Sequence, residues 1–180
     1  LGAPRRRPVC PGHEQAVNAV AWSPDGSRLA TASDAGPARI WDAQGAADTV
    51  ALTRRHGDRV YAVAWSPDGK RLVYNQLGGS VLLVTLSGPG RATQRVLLQD
   101  RGIGDATKSE ADWSPDGRRL VYVEDRFALA LFDFARPFVP RGIALRHIPI
   151  QLRTQVSTPA WSPDGRSVAF VSTCGSLGKP

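Results

Sequence analysis

Methionine is absent from the whole 180-residue chain, and cysteine occurs only twice, at Cys10 and Cys174. A chain with leucine instead of methionine at position 1 reads as an excised piece of a longer product. Two cysteines make neither a disulfide framework nor a metal-ligand spacing, so two free thiols are expected, with a Cys10–Cys174 bridge as the alternative. No apolar run approaches the ~18 residues of a membrane span, so no membrane partner is expected. Residues 1 to 12 also lack the apolar core of a secretory signal. The expected compartment is therefore cytoplasmic, or periplasmic or extracellular if a leader has been removed. No Gly-rich phosphate loop joins a strand to a helix, and Gly-x-Ser-x-Gly, His-Glu-x-x-His and Cys-x-x-Cys are all missing. With no nucleophile–base pair in view, the expectation is a protein that is not an enzyme and holds no cofactor and no metal.

Against these absences, 42% of residues are apolar and 22% charged, the balance of a folded domain and not of a disordered chain. The net charge is +7, which favours an acidic partner and raises the question of nucleic acid. The basic residues are scattered over turns and strands, however. Only Arg5-Arg6-Arg7 forms a run, near one end. That scatter speaks against nucleic acid and leaves an acidic protein or peptide as the expected partner.

One pentapeptide recurs without variation. Trp-Ser-Pro-Asp-Gly begins at Trp22, Trp65, Trp113 and Trp161, at intervals of about 43 to 48 residues. A fixed period of this size marks an array of one supersecondary unit. Chemistry seldom needs one site four times, whereas architecture does. A β-prone run precedes each Trp and another follows each Gly, so each unit reads as a hairpin. Pro presets φ for the turn, Asp can bond its own backbone, and Gly accepts positive φ. The turn residues Trp22, Asp25, Gly26, Trp65, Asp68, Gly69, Trp113, Asp116, Gly117, Trp161, Asp164 and Gly165 are accordingly assigned to the fold. The four aspartates raise calcium or carboxylate chemistry as a reading, but each sits in its own turn on its own unit, which favours turn formation.

Taken in order, the expected strands are Val17 to Trp22, Arg28 to Ser33, Ala38 to Asp42 and Thr49 to Thr53. The second unit has Arg59 to Trp65, Arg71 to Gln76, Ser80 to Leu86 and Gln94 to Leu98, with a loop over residues 87–90. The third has Ser109 to Trp113, Arg119 to Glu124 and Phe127 to Asp133, with an outer strand near Ile143 to Ile148. The fourth has Gln155 to Trp161 and Ser167 to Ser172, then a third strand at Ser176-Leu177.

The residues Gly12-His13, the hairpin motif, Leu29-Ala30-Thr31-Ala32-Ser33 and Ile40-Trp41-Asp42 resemble one WD40 repeat. Later units are looser. Val84-Thr85 and Phe132-Asp133 stand where Trp-Asp is usual, and Leu72-Val73-Tyr74 and Val168 to Ser172 are similar to the WD40-like repeats of TolB-type and peptidase-associated propellers. The resemblance implies an all-β fold of four-stranded antiparallel propeller blades: three complete blades and a truncated fourth, in an open arc. It divides the chain into a flexible basic segment, 1–11, and a partial propeller, 12–180, with repeats at about 12–54, 55–98, 99–148 and 149–180. It also implies a buried hydrogen-bonded set of His, Ser or Thr, Trp and Asp within a blade. His13, Thr31 and Trp41 fill three of its places, and Ala35 falls on the fourth, with Asp34 one residue early. His56 repeats the position of His13, which favours a structural role over a ligand or base. Units two to four lack the set, so softer blades held mainly by apolar packing are expected.

The implied function is a non-catalytic scaffold for protein–protein interaction. Its docking face would carry the His-side loops and the turns between second and third strands: Glu14, Gln15, Asp34, Asp58, Arg59, Lys108, Asp125, Arg126 and Arg153. The alternative is a TolB-like or peptidase-associated propeller that docks or gates beside an enzyme domain outside this chain. Either way, further blades from the same or another chain are expected partners.

Overall fold

The computed structural model describes residues 13, 15–34, 38–43, 50–52, 59–76, 80–88, 91–98, 110–125, 128–135, 141–143 and 155–173. These residues form antiparallel strands and turns, with no helix among them.

The first sheet is β1 (Val17–Trp22), β2 (Arg28–Ser33), β3 (Ala38–Asp42) and β4 (Val50–Leu52), in that spatial order. The second is β5 (Val60–Trp65), β6 (Arg71–Gln76), β7 (Val81–Gly88) and β8 (Arg91–Leu98). The third is β9 (Ala111–Trp113), β10 (Arg119–Asp125), β11 (Ala128–Asp133) and β12 (Arg141–Ile143). β13 (Gln155–Trp161) and β14 (Val168–Thr173) make a two-stranded fourth sheet. In each sheet the strands lie side by side in chain order, the up-and-down arrangement that antiparallel pairing permits. The sheets form an open arc whose first face remains exposed at Val17, Val20 and Trp22.

The register repeats. Trp22 pairs with Leu29, Trp65 with Leu72, Trp113 with Leu120 and Trp161 with Val168. Each Trp therefore shares a face with the first apolar residue after its turn. Strand alternation places the next residue on the opposite face. The cores lie between sheets. Leu72, Tyr74, Leu82 and Val84 of the second sheet pack on Ala30, Ala32, Ala38 and Ile40 of the first. Leu120, Tyr122 and Phe132 of the third pack on Val73, Val81 and Leu83 of the second. Trp161, Val168 and Phe170 of the fourth pack on Val121, Val123 and Leu129 of the third. Bulky side chains of one blade thus meet smaller ones of the blade before it. Burying one such Leu, Val or Phe is worth about 1.5–3 kcal/mol, so each interface depends on its neighbour being in place.

Several strand limits differ from the sequence reading. β7 runs on to Gly88 and β8 starts at Arg91, so the pairing of Gly88 with Arg91 carries the strand ladder into the expected 87–90 loop. The outer strand of the third sheet is Arg141–Ile143, pairing with Leu129 to Leu131, and so begins before the expected Ile143. The third strand expected at Ser176-Leu177 lies outside the described residues.

Candidate functional site: the repeated turn, the arginine clamp and the rim

The pentapeptide builds one turn four times. Ser23 Oγ donates to Asp25 Oδ1 at 2.6 Å and accepts the amide of Arg28 at 2.9 Å. The Gly26 amide donates to the Ser23 carbonyl at 2.8 Å, and the Ser27 amide to Asp25 Oδ1 at 3.0 Å. The turns at Ser66, Ser114 and Ser162 repeat this pattern. Ser and Asp are thus required together, one closing the strand pair and the other holding the loop amide. Hydrogen bonds from Ser23 and from the Ser27 amide hold the Asp25 carboxyl down at about 2. The Asp68 carboxyl is also lowered: partial burial raises it, but the Ser66 and Lys70 hydrogen bonds and the Arg71 and Lys70 charges outweigh that. Asp116 and Asp164 are lowered chiefly by the Ser114 and Ser162 hydroxyls. Each carboxylate is committed to its own turn, and no group of three or more His, Cys, Asp or Glu able to hold a metal occurs among the described residues.

The second arrangement crosses between blades. Arg28, Arg71 and Arg119 each follow their turn glycine by two residues. Their guanidinium carbons lie 5.2, 4.7 and 4.6 Å from the ring centroids of Trp65, Trp113 and Trp161 in the next blade. Nη2 of each donates to that blade's turn glycine carbonyl: Gly69 at 3.2 Å, Gly117 at 2.8 Å and Gly165 at 3.2 Å. The contact is returned, because the indole N–H of Trp65 donates to the Ala21 carbonyl and that of Trp113 to the Ala64 carbonyl, both at 3.1 Å. Asp112 replaces this alanine in the third unit, and its Oδ2 accepts the Trp161 backbone amide at 2.7 Å instead. Gly117 shows why the turn needs glycine. Its φ is +66°, and an added Cβ would stand 3.2 Å from Arg71 Nη2. Neighbouring blades are therefore joined by cation–π and hydrogen-bonded contacts as well as apolar packing, which amends the expectation of mainly apolar cohesion.

The third arrangement lies within the first blade. Thr31 Oγ1 is 2.7 Å from His13 Nε2 and accepts the Trp41 indole N–H at 2.8 Å. The His13 and Trp41 rings meet edge to face with centroids 6.0 Å apart. Tyr74, Tyr122 and Phe170 occupy the place of Thr31 in the other blades, and Tyr74 and Tyr122 are fully buried. An aromatic ring there fills by volume what the hydroxyl fills by bonding.

At the rim, Asn18 Nδ2 donates to Asp34 Oδ1 at 2.7 Å and to the Val60 carbonyl at 3.0 Å. One amide thus ties the first blade's rim to the second, beside the exposed Arg59. Gln15, Asp34 and Arg59 are the three described members of the expected docking face whose side chains the structure places, and Gln15 is exposed. Glu14, Asp58, Lys108, Arg126 and Arg153, together with His56, lie outside the described residues. Sequence reasoning read the basic residues as scattered over turns and strands and missed that the second residue after the turn glycine is Arg in the first three units and aimed at the next tryptophan. Its fixed offset from the motif was the available signal.

Comparison with known proteins follows the same lines. The family model described as WD domain, G-beta repeat, matches residues 5–42 and 49–74. No curated protein matches the chain. Among solved structures, the chain is similar to a putative TolB from Agrobacterium tumefaciens, with a TM-score of 0.63 and 19% identity over 89% of this chain and 55% of that one. It is also similar to the Cps50 (Swd1) β-propeller domain of Myceliophteria thermophila, with a TM-score of 0.66 and 15% identity over 91% of this chain and 51% of that one. The chain spans about half the length of these structures.

Proposed function

From a chain folded as a run of β-propeller blades, whose first part matches the WD domain, G-beta repeat model over residues 5–42 and 49–74, we propose a non-catalytic scaffold that docks a protein or peptide on its rim. The observation that carries the reading is the rim itself. The Asn18 amide fixes Asp34 against the second blade and leaves Arg59 exposed at the same end. A charged side chain presented on a rigid sheet end suits recognition of a polar segment. The turn carboxylates, by contrast, are satisfied within their own turns, which leaves them little to offer a substrate. The net charge of +7 favours an acidic peptide.

The test is an array of acidic, neutral and basic peptides presented to the full chain. Acidic peptides are expected to bind, R59E to weaken them about tenfold or more, and 0.5 M salt to reduce them. Binding that is indifferent to both R59E and D34K removes the rim proposal. Retention on DNA that falls steeply with salt would instead identify a nucleic-acid binder.

A second reading has its own support. Units two to four carry an aromatic ring at the position of Thr31, and the TolB structure shares the fold. On this reading the blades dock or gate beside an enzyme domain carried elsewhere. A downstream α/β-hydrolase pattern in the complete reading frame favours it.

A further inference from the structure

The first blade differs from the others in what lies against its β1 side. On the second blade, Val60 and Trp65 are 1% and 8% exposed, because the first blade covers them. Their counterparts Val17 and Trp22 are 52% and 60% exposed, and Val20 is 62% exposed. The structure contains three occupied versions of this strip, and they agree on what it takes. Each covering blade supplies small or β-branched side chains, such as Ala30 and Ala32 or Val121 and Val123, as a floor. Each also supplies an arginine whose guanidinium lies over the indole and donates to the turn glycine carbonyl.

The fourth unit breaks the rule. Its outgoing face keeps a suitable floor, with Ala160, Ala169 and Val171 exposed. At the arginine position, however, stands Ser167. A hydroxymethyl group has no cation to set over an indole and cannot span the gap to a neighbouring carbonyl. A second copy stacked head to tail would bring Ser167 to Trp22 and leave both the indole and the Gly26 carbonyl without a guanidinium.

We infer that the strip formed by Val17, Val20 and Trp22 is the receiving half of a further blade interface. Its occupant is a propeller blade whose turn reads Trp-Ser-Pro-Asp-Gly-x-Arg, and the serine-bearing fourth unit of a second copy is not accepted. Arginine at one position thus sets which blade may precede which. This goes beyond the rim docking proposed above, and it is read by self-association and not by peptide binding, so either can fail alone.

The fourth unit can be converted into the proposed occupant. S167R gives the last face its arginine while the first face keeps its tryptophan, and Ser167 and Trp22 are both exposed, so neither change touches a core. Sedimentation equilibrium of the full chain is expected to show head-to-tail association at least tenfold tighter for S167R than for wild type, on the order expected for a desolvated cation–π contact plus a charged hydrogen bond. S167K, which keeps the charge without the planar fork, should gain less. Adding W22A to S167R should return association to the wild-type level, and W22F should retain part of the gain. Two results overturn the inference: no gain in S167R, or a gain that W22A leaves intact. A wild-type chain that associates as tightly as S167R overturns it too, since a second copy would then be the occupant.

Discussion

Arg71 in the second blade lies 4.7 Å from the ring centroid of Trp113 in the third and reaches past it to the Gly117 carbonyl at 2.8 Å. Phe134 stacks on the same indole, with centroids 4.9 Å apart and planes 11° from parallel, and Arg71 covers that ring as well. Asp68 is 3.9 Å away and partly exposed, so it contributes little beside these contacts. One side chain therefore joins the turn of its own blade to the turn and core edge of the next.

The first prediction follows from that geometry. R71A removes a cation–π contact and leaves the Gly117 carbonyl without its donor, which should cost about 1–3 kcal/mol in urea-induced unfolding. R71K keeps the charge but not the planar fork and should fall between. R28A should cost less than R71A, because Arg28 sits farther from both partners, at 5.2 Å from Trp65 and 3.2 Å from Gly69. Equal losses for the two alanine variants would show that the clamp geometry does not govern stability.

The second prediction concerns the hydroxyl at the centre of the first blade. Thr31 Oγ1 serves both His13 and Trp41, and Thr31 is buried. T31V keeps the shape and leaves two ring nitrogens facing a methyl group. The expected loss is about 1–3 kcal/mol, with a shift of the Trp41 indole N–H resonance in NMR spectra. A stable T31V variant with an unmoved indole signal would mean that the blade does not depend on this set.

What the sequence made legible here is the periodic part. The invariant turn fixed where hairpins close, because Pro, Asp and Gly act through local backbone geometry. The strands flanking each Trp followed from that, and the open arc followed from the resemblance to propeller repeats. Strand limits away from the motif were harder. The Ser87-Gly88-Pro89-Gly90 composition reads as a loop, yet β7 and β8 pair through to Gly88 and Arg91, since ladder bonds outweigh local preference there. The outer strand Arg141–Ile143 sits in a Pro- and Arg-rich stretch with no alternation to mark it. At the rim, Gln15, Asp34 and Arg59 are placed, and the Asn18 tether between blades gave no motif at all. The clamp was hidden for another reason. An Arg two residues after a turn glycine looks like any solvated charge until the next blade's indole is set beside it.

The last prediction is a pH dependence, and its sign is fixed by the turn chemistry. An unfolded Asp titrates near about 3.9. In the folded chain Asp25 is held down at about 2, and Asp68, Asp116 and Asp164 are also lowered. A lowered carboxyl means that the unfolded state binds protons first as the pH falls, so stability decreases with acidification. The contribution is fully present above about pH 4 and is lost as the pH falls toward about 2. Replacing Ser23, Ser66, Ser114 and Ser162 with Ala one at a time should raise the partnered aspartate toward its ordinary value and flatten the acid limb of stability. Side-chain carboxyl NMR titration gives the direct check. Asp25 titrating near 4 in the native chain, or an acid limb unchanged in S23A, would show that the serine hydroxyl does not hold that carboxylate.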